Sequence, residues 1–140
     1  MRRMLLAILF LILAICFSCE EKGWFVKCQD CLEDEPELGN LYIKLSPLAS
    51  AVRLSIFEGD LEDSVLYHSD NITWPDYSYQ VPLNKKYTVT ATYNIEGKKY
   101  IAVDSATPRV KYTEDQCKDP CYYVYDNNLN LSIKYTAGGN

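Results

Sequence analysis

Four cysteines form two closely spaced pairs that are far apart in the chain. Two residues separate Cys28 from Cys31, and three separate Cys117 from Cys121. Thiolates at such spacings can hold a zinc ion, and two cysteines with two residues between them can also act as a redox pair. In an oxidising compartment the same four residues form two disulfides. The chemistry of these cysteines therefore depends on where the chain folds.

Four cysteines can pair as disulfides in three ways. Pairing within each cluster closes very short loops and would contribute about 2 kcal/mol per disulfide by the chain-entropy argument. Pairing between the clusters closes loops of about ninety residues, and the first such disulfide would contribute about 4–5 kcal/mol. We favour pairing between the clusters, which would also fix the segment around Cys28 against the loop around Cys117.

The alternatives to disulfides are a four-thiolate zinc site and a reactive thiol pair at Cys28 and Cys31. Outside the cell, oxidation usually removes the thiolates that zinc requires. A reactive pair needs a lowered thiolate pKa, which a positive environment provides. The neighbourhood of Cys31 is instead acidic, with Asp30, Glu33 and Asp34 close in sequence. We therefore expect neither a metal nor another cofactor in this protein.

The first residues of the chain indicate the compartment. Two arginines precede an uncharged run from Met4 to Phe17, which is typical of a signal peptide and shorter than the roughly twenty apolar residues of a membrane-spanning helix. Ser18 and Cys19 then resemble the lipobox of bacterial lipoproteins, although Cys16 stands where leucine is usual. The resemblance implies a signal peptide over residues 1–18 and lipidation of Cys19. The alternative is a secretory signal without a lipid.

Glu20 and Glu21 follow directly, and they resemble the export signal of Bacteroidota surface lipoproteins. This resemblance implies an outer-membrane lipoprotein on the cell surface, with a periplasm-facing anchor as the alternative. Without residues 1–18 the chain has 122 residues, and its 19 acids outnumber 12 basic residues because two of the 14 arginines and lysines lie in the signal. A net charge of −7 argues against nucleic acid as a partner.

The sequence after the signal divides into an acidic tether over residues 19–37, a domain over residues 38–136 and a short tail over residues 137–140. Apolar and polar residues alternate in the domain, which predicts strands with one buried face. We predict an all-β, two-sheet antiparallel sandwich of about seven to eight strands. Tyr100 to Val103 is apolar on both faces, which favours a central strand. The alternating apolar residues are Leu41, Ile43 and Leu45; Val52, Leu54 and Ile56; Tyr77, Tyr79 and Val81; Tyr87, Val89, Ala91 and Tyr93; and Leu129, Leu131, Ile133 and Tyr135.

Residues 81–91 carry a second resemblance. Val81-Pro82-Leu83, followed by Tyr87-Thr88-Val89-Thr90-Ala91, resembles the strand entry of immunoglobulin-like domains. Residues 40–136 as a whole resemble the immunoglobulin-like and transthyretin-like sandwiches of Bacteroidota surface lipoproteins. The resemblance implies that the Tyr87 hydroxyl bonds to the backbone upstream, whereas the simpler interpretation is a core tyrosine.

Trp74, Tyr77 and Tyr79 form the stretch best suited to a ligand, because exposed aromatic rings can stack on sugar rings. The alternative is that Trp74 covers one end of the sandwich while Tyr77 and Tyr79 fill its core. Ser64 and Ser105 each follow an aspartate and precede an apolar residue, which resembles the O-glycosylation motif of exported Bacteroidota proteins.

No sequence motif of a hydrolase, zinc protease or phosphate-binding loop is present. We therefore predict a non-enzymatic lipoprotein, held in the membrane through lipidated Cys19, that acts as a binding, adhesion or assembly module with a protein or glycan partner. The first alternative is an accessory glycan binder of a surface carbohydrate-uptake system, with Trp74 and its neighbouring tyrosines as the platform. The second alternative is a thiol redox or hydrolytic enzyme.

Overall fold

The computed structural model describes residues 26–47, 50–63 and 65–134, and it has an all-β fold. Single turns of 3-10 helix occur at Cys28–Asp30 and Leu61–Asp63. The strands are β1 (Leu38–Lys44), β2 (Val52–Glu58), β3 (Leu66–Ile72), β4 (Asp76–Pro82), β5 (Tyr87–Ile95), β6 (Lys98–Ala106), β7 (Arg109–Thr113), β8 (Cys121–Tyr125) and β9 (Asn128–Asn130).

The nine described strands form three sheets. The larger two have the strand orders β3-β2-β5-β6 and β4-β1-β9, and β7 pairs with β8 in a separate hairpin. All pairs are antiparallel except β1 and β9, which run parallel. The prediction of an all-β fold is confirmed. The sequence predicts two antiparallel sheets, however, and the described strands form three sheets. The third sheet arises because β7 and β8 pair only with each other among the named strands.

The hydrophobic core consists of side chains that the alternating pattern predicts to face inward. Leu41 and Ile43 of β1, Leu54 and Ile56 of β2, and Val89 of β5 are no more than 2% exposed. These strands belong to the two larger sheets, and the buried side chains of both sheets form one cluster. Alternation places every second side chain on the same face of a strand, so a short sequence pattern is enough to specify this core.

The expectation that residues 100–103 form a central strand is wrong. They lie in β6, which among the described strands pairs only with β5 and forms one edge of the four-stranded sheet. Tyr100 and Ala102 pack against the core, whereas Ile101 and Val103 are 56% and 52% exposed on the opposite face. Strand β6 therefore has apolar residues on both faces although only one face packs against the core.

Three strands lack the alternation of apolar and polar residues, and one strand ends before its alternation does. Strands β3, β7 and β8 carry no clear alternation, and β9 ends at Asn130 although apolar alternation continues to residue 135. Beyond β9 the chain is held by a backbone hydrogen bond from the Leu131 amide to the Lys44 carbonyl (2.9 Å) and by side chains. The Tyr93 hydroxyl donates to the Leu131 carbonyl (2.7 Å), and the Ile133 amide donates to Ser46 Oγ (2.8 Å). Tyr135 lies outside the described residues.

Tyr87 lies at the start of β5 with its ring fully buried. Its hydroxyl donates a hydrogen bond to the Pro82 carbonyl at 3.1 Å, so the predicted bond to the upstream backbone is confirmed. Burial, and then the nearby Tyr67 and Glu58, raise the pKa of Tyr87 to about 12. The fold therefore favours the protonated phenol.

Stability is expected to fall at high pH because of Tyr87. Its folded-state pKa lies above the ordinary value of 10.0, so its contribution is complete below pH 10 and is lost as the pH rises towards 12. Between about pH 9.5 and pH 11, the free energy of unfolding should fall by about 1 kcal/mol more in the wild type than in Tyr87→Phe. Urea unfolding at each pH measures this difference. Tyr42→Phe, at an exposed position, is the matched control and should keep the wild-type slope; an unchanged slope in Tyr87→Phe would contradict the assignment.

Candidate functional site

The four cysteines lie together where the N-terminal segment meets the β7–β8 hairpin. Cys28 is bonded to Cys117 and Cys31 to Cys121, with Cα–Cα distances of 5.6 and 5.4 Å. Both disulfides join one cluster to the other, which is the pairing that the loop-entropy argument favours. The bonded residues are 89 positions apart in one disulfide and 90 in the other. Most of the described chain therefore lies between the linked residues.

Backbone pairing positions these cysteines. Cys28 begins a single 3-10 turn, and the chain is extended again at Cys31. Leu32 then exchanges two backbone hydrogen bonds with Tyr122 of β8, each 2.8 Å long. This antiparallel pairing brings the segment that contains Cys31 against the strand that begins at Cys121. The segment thus adds one paired residue to the free side of the hairpin.

The sulfur atoms form a compact cluster. The Sγ atoms of Cys31, Cys117 and Cys121 all lie within 4.8 Å of one another, and Cys31 Sγ is 3.4 Å from Cys117 Sγ although these two residues are not bonded to each other. As thiolates, these sulfurs have the chemistry of zinc ligands, so zinc stays the alternative for a reduced chain. As disulfides, they offer no thiolate. Cys28 and Cys31 bond to different partners, which is not the arrangement of a redox pair.

Gly39 fixes the hairpin against β1. A Cβ atom at this position would lie 2.6 Å from Leu83 Cδ2 and 3.1 Å from Val124 Cγ1. The first distance would force the Leu83 side chain to move, and the second is tighter than most Cβ contacts, so glycine allows β8 and the turn after β4 to approach β1 closely. The Asn84 amide also donates to the Pro108 carbonyl at 2.7 Å, which holds the start of the hairpin to the same turn.

The three residues of the predicted aromatic platform differ in exposure. Trp74 lies between β3 and β4 and is 73% exposed. Tyr77 and Tyr79 lie on the inward side of β4, are half-buried and pack against the core. Trp74 therefore presents its ring to solvent, whereas the two tyrosines contribute to the sandwich.

His68 and the tyrosines connect β3 to β4, which belong to different sheets. The His68 ring stacks on Tyr79, with the ring centroids 4.2 Å apart and an angle of 18° between the planes. His68 Nε2 lies 3.5 Å from the Tyr77 hydroxyl. Burial, and then Asp70 and Tyr79, raise the pKa of Tyr77. Tyr67 meets both Tyr79 and Tyr87 edge to face.

These contacts close one side of the sandwich, and sequence reasoning missed them because no motif marks them. His68 follows two apolar residues at what looks like an exposed strand end. The contact depends on the register of β3 with β2, which shifts between Ile56 and Phe57. A register shift of this kind is set by the paired strands and has no signal in the sequence of β3 alone.

The remaining predicted sites stay predictions. Ser105 is exposed on β6, and its amide donates to Asp104 Oδ1 at 2.8 Å. Ser64 and Cys19 lie outside the described residues, as does the signal peptide over residues 1–18. Within the described ranges, no helix has the length and hydrophobicity needed to cross a bilayer.

Comparison of the chain with protein-family models, with curated proteins and with solved structures finds no match in any of the three.

The losses of stability from removing the two disulfides are expected to be non-additive. Because they close nearly the same loop, either Cys28→Ser with Cys117→Ser, or Cys31→Ser with Cys121→Ser, should lower the free energy of unfolding by only about 2 kcal/mol. Replacing all four cysteines should cost more than twice that amount, because the long loop is then open in the unfolded state. Urea unfolding followed by tyrosine and tryptophan fluorescence measures these losses.

Non-reducing peptide mapping of the same proteins is the control for connectivity. The wild type should give peptides that link residues near Cys28 to residues near Cys117. Strictly additive losses from the two pairs of substitutions would contradict the shared-loop explanation.

Proposed function

We propose that this chain is a non-enzymatic, lipid-anchored lipoprotein of the outer membrane. It would present an immunoglobulin-like or transthyretin-like β-sandwich on the cell surface as a binding, adhesion or assembly module. The observation that carries this proposal is the pair of disulfides linking Cys28 and Cys31 to the β7–β8 hairpin. Such disulfides persist in an oxidising compartment, which agrees with export.

The position of the disulfides suits a protein that is held by its N-terminus. Eight residues lie between the proposed lipid at Cys19 and Cys28, and the nine residue steps of a fully extended chain between them span about 30 Å. The domain would therefore stay close to the bilayer. A force on the anchor would act on covalent bonds at Cys28 and Cys31 before it reached the hydrogen bonds of β1, which begins at Leu38.

The lipid is tested by growing cells with an alkyne-labelled fatty acid. The wild-type chain should carry the label and sediment with the outer membrane, because acyl chains stabilise the bound state by about 0.8 kcal/mol per buried CH₂ group. Cys19→Ala should lose both properties, and the matched control Cys16→Ala should keep them. Added protease should digest the protein on intact cells if it faces outward. Label that persists in Cys19→Ala would contradict the proposal.

Glycan binding is the second candidate function, and the exposure of Trp74 favours it. A tryptophan ring that is 73% exposed leaves a large apolar face in water, and such a face suits stacking on a sugar. Tyr77 and Tyr79 would support the Trp74 loop from the inward side of β4 and would not touch the glycan.

A glycan array with the purified chain tests this candidate. Trp74→Ala should remove binding, because the stacking surface is lost, and circular dichroism should show an unchanged fold. Tyr42→Ala removes an exposed aromatic ring from the outer face of β1 and should leave binding intact. Equal loss in both variants would argue against a site at Trp74.

A further inference from the structure

Strand β6 is an unusually open edge for a small β protein. It has nine residues, it pairs only with β5 among the described strands, and its ladder with β5 is regular throughout. Its outer face carries Ile101 and Val103, which are both more than half exposed. Proteins usually protect such an edge with proline, bulges or short strands, because its free backbone groups can pair with another strand.

The other edges of the two larger sheets carry such protection. The register of β3 shifts against β2 between Ile56 and Phe57, β4 ends in Pro82, and β9 has only three residues. Strand β6 alone among these edges is long, regular and free of proline. This contrast indicates that the β6 edge has a partner.

The hairpin turn fixes which groups of β6 point outward. Glu96 and Gly97 connect β5 to β6 with φ angles of 50° and 76°, as in the two-residue turn of type I′. In such a hairpin the flanking residues, here Ile95 and Lys98, form a hydrogen-bonded pair, and bonded pairs then alternate along the ladder. The amide and carbonyl groups of Lys99, Ile101 and Val103 therefore point away from β5.

We propose that β6 is the dimer interface of this protein, and that it pairs with β6 of a second copy in an antiparallel arrangement centred on Ala102. In this register Ile101 lies opposite the partner's Val103, and Val103 opposite the partner's Ile101. Only residues with outward-facing backbone groups then form the hydrogen-bonded pairs. The two four-stranded sheets join into one continuous sheet.

Side-chain chemistry supports this register. The exposed Ile101 and Val103 cover each other across the interface, and cross-strand pairs of β-branched residues stabilise a sheet. Lys98 and Asp104 lie on the same face of β6, at opposite ends of the strand. In the antiparallel pair Lys98 and the partner's Asp104 become diagonal neighbours, so opposite charges approach at both ends of the interface.

Asp104 also defines where the open edge ends. Its carboxylate accepts hydrogen bonds from the Ser105 amide (2.8 Å) and from the Asn130 amide of β9 (2.9 Å). The outward-facing amide of Ser105 is thus satisfied within the chain. The stretch from Lys99 to Val103 remains as the part of the edge that a second copy can pair with.

Native mass spectrometry of the full exported chain, released from detergent micelles, tests the proposal. The wild type should give mainly the dimer mass at micromolar concentration. Val103→Pro removes an outward-facing amide and leaves the ladder to β5 intact, so it should weaken the dimer at least about tenfold. Asn71→Pro is the matched control on β3, where the amide donates to Asp70 Oδ1, and it should leave the dimer unchanged.

Two further measurements keep the test decisive. Ile101→Lys changes only an exposed side chain, so it should weaken the dimer even if proline disturbs the strand, and circular dichroism shows whether each variant folds. In the wild type, hydrogen exchange at the Ile101 amide should slow at least about tenfold as the dimer forms. A monomer at all concentrations, equal effects of Val103→Pro and Asn71→Pro, or protection of Ile101 by a different protein would overturn the proposal.

Discussion

The structure depends on two covalent links between the segment around Cys28 and the hairpin around Cys121. A two-stranded hairpin is at best marginally stable on its own, and β7–β8 joins neither of the larger sheets. The disulfides, the Leu32–Tyr122 pairing and the close approach at Gly39 hold it in place. Since both linked loops enclose about ninety residues, the disulfides restrict the unfolded state of the whole sandwich and not only of the hairpin.

The core could be predicted from the sequence, whereas the neighbours of each strand could not. Alternation along β1, β2 and β5 correctly identifies Leu41, Leu54 and Val89 as buried, because the side-chain period of a strand is a local property. The position of β6 at an edge depends on which strand lies beside it, and apolar residues on both faces do not specify that. The full length of β3 was not predictable for a related reason: Ser69 and Asp70 are exposed at the other edge of the sheet, so this part of the strand carries no alternation.

For the cysteine cluster, the formation of disulfides between the two pairs was predictable, whereas the individual partners were not. An even number of cysteines in two pairs, after an apparent export signal, indicates disulfides, and loop entropy favours links between the pairs. The sequence contains no information on which cysteine of one pair meets which cysteine of the other. That choice depends on how the segment around Leu32 packs against β8, a contact between distant parts of the chain that the cysteine spacing does not encode. The stacking of His68 on Tyr79 is equally dependent on contacts between distant strands.

The two ends of the described chain are fixed by bonds of different kinds. The C-terminal end is held by hydrogen bonds inside the sandwich: buried Tyr93 donates to the Leu131 carbonyl, and the Ser46 hydroxyl and the Ile133 backbone bond to each other in both directions. An unpaired buried polar group would cost about 1–3 kcal/mol, so these bonds hold wherever the sandwich is folded. The N-terminal end is held by disulfides, which require an oxidising environment. A reduced chain would therefore keep the hydrogen bonds of its sandwich and lose the two covalent links between the N-terminal segment and the β7–β8 hairpin. Since the proposed anchor acts through that segment, oxidation decides whether a pull on the anchor acts first on disulfides or directly on the hydrogen bonds of β1, which begins at Leu38.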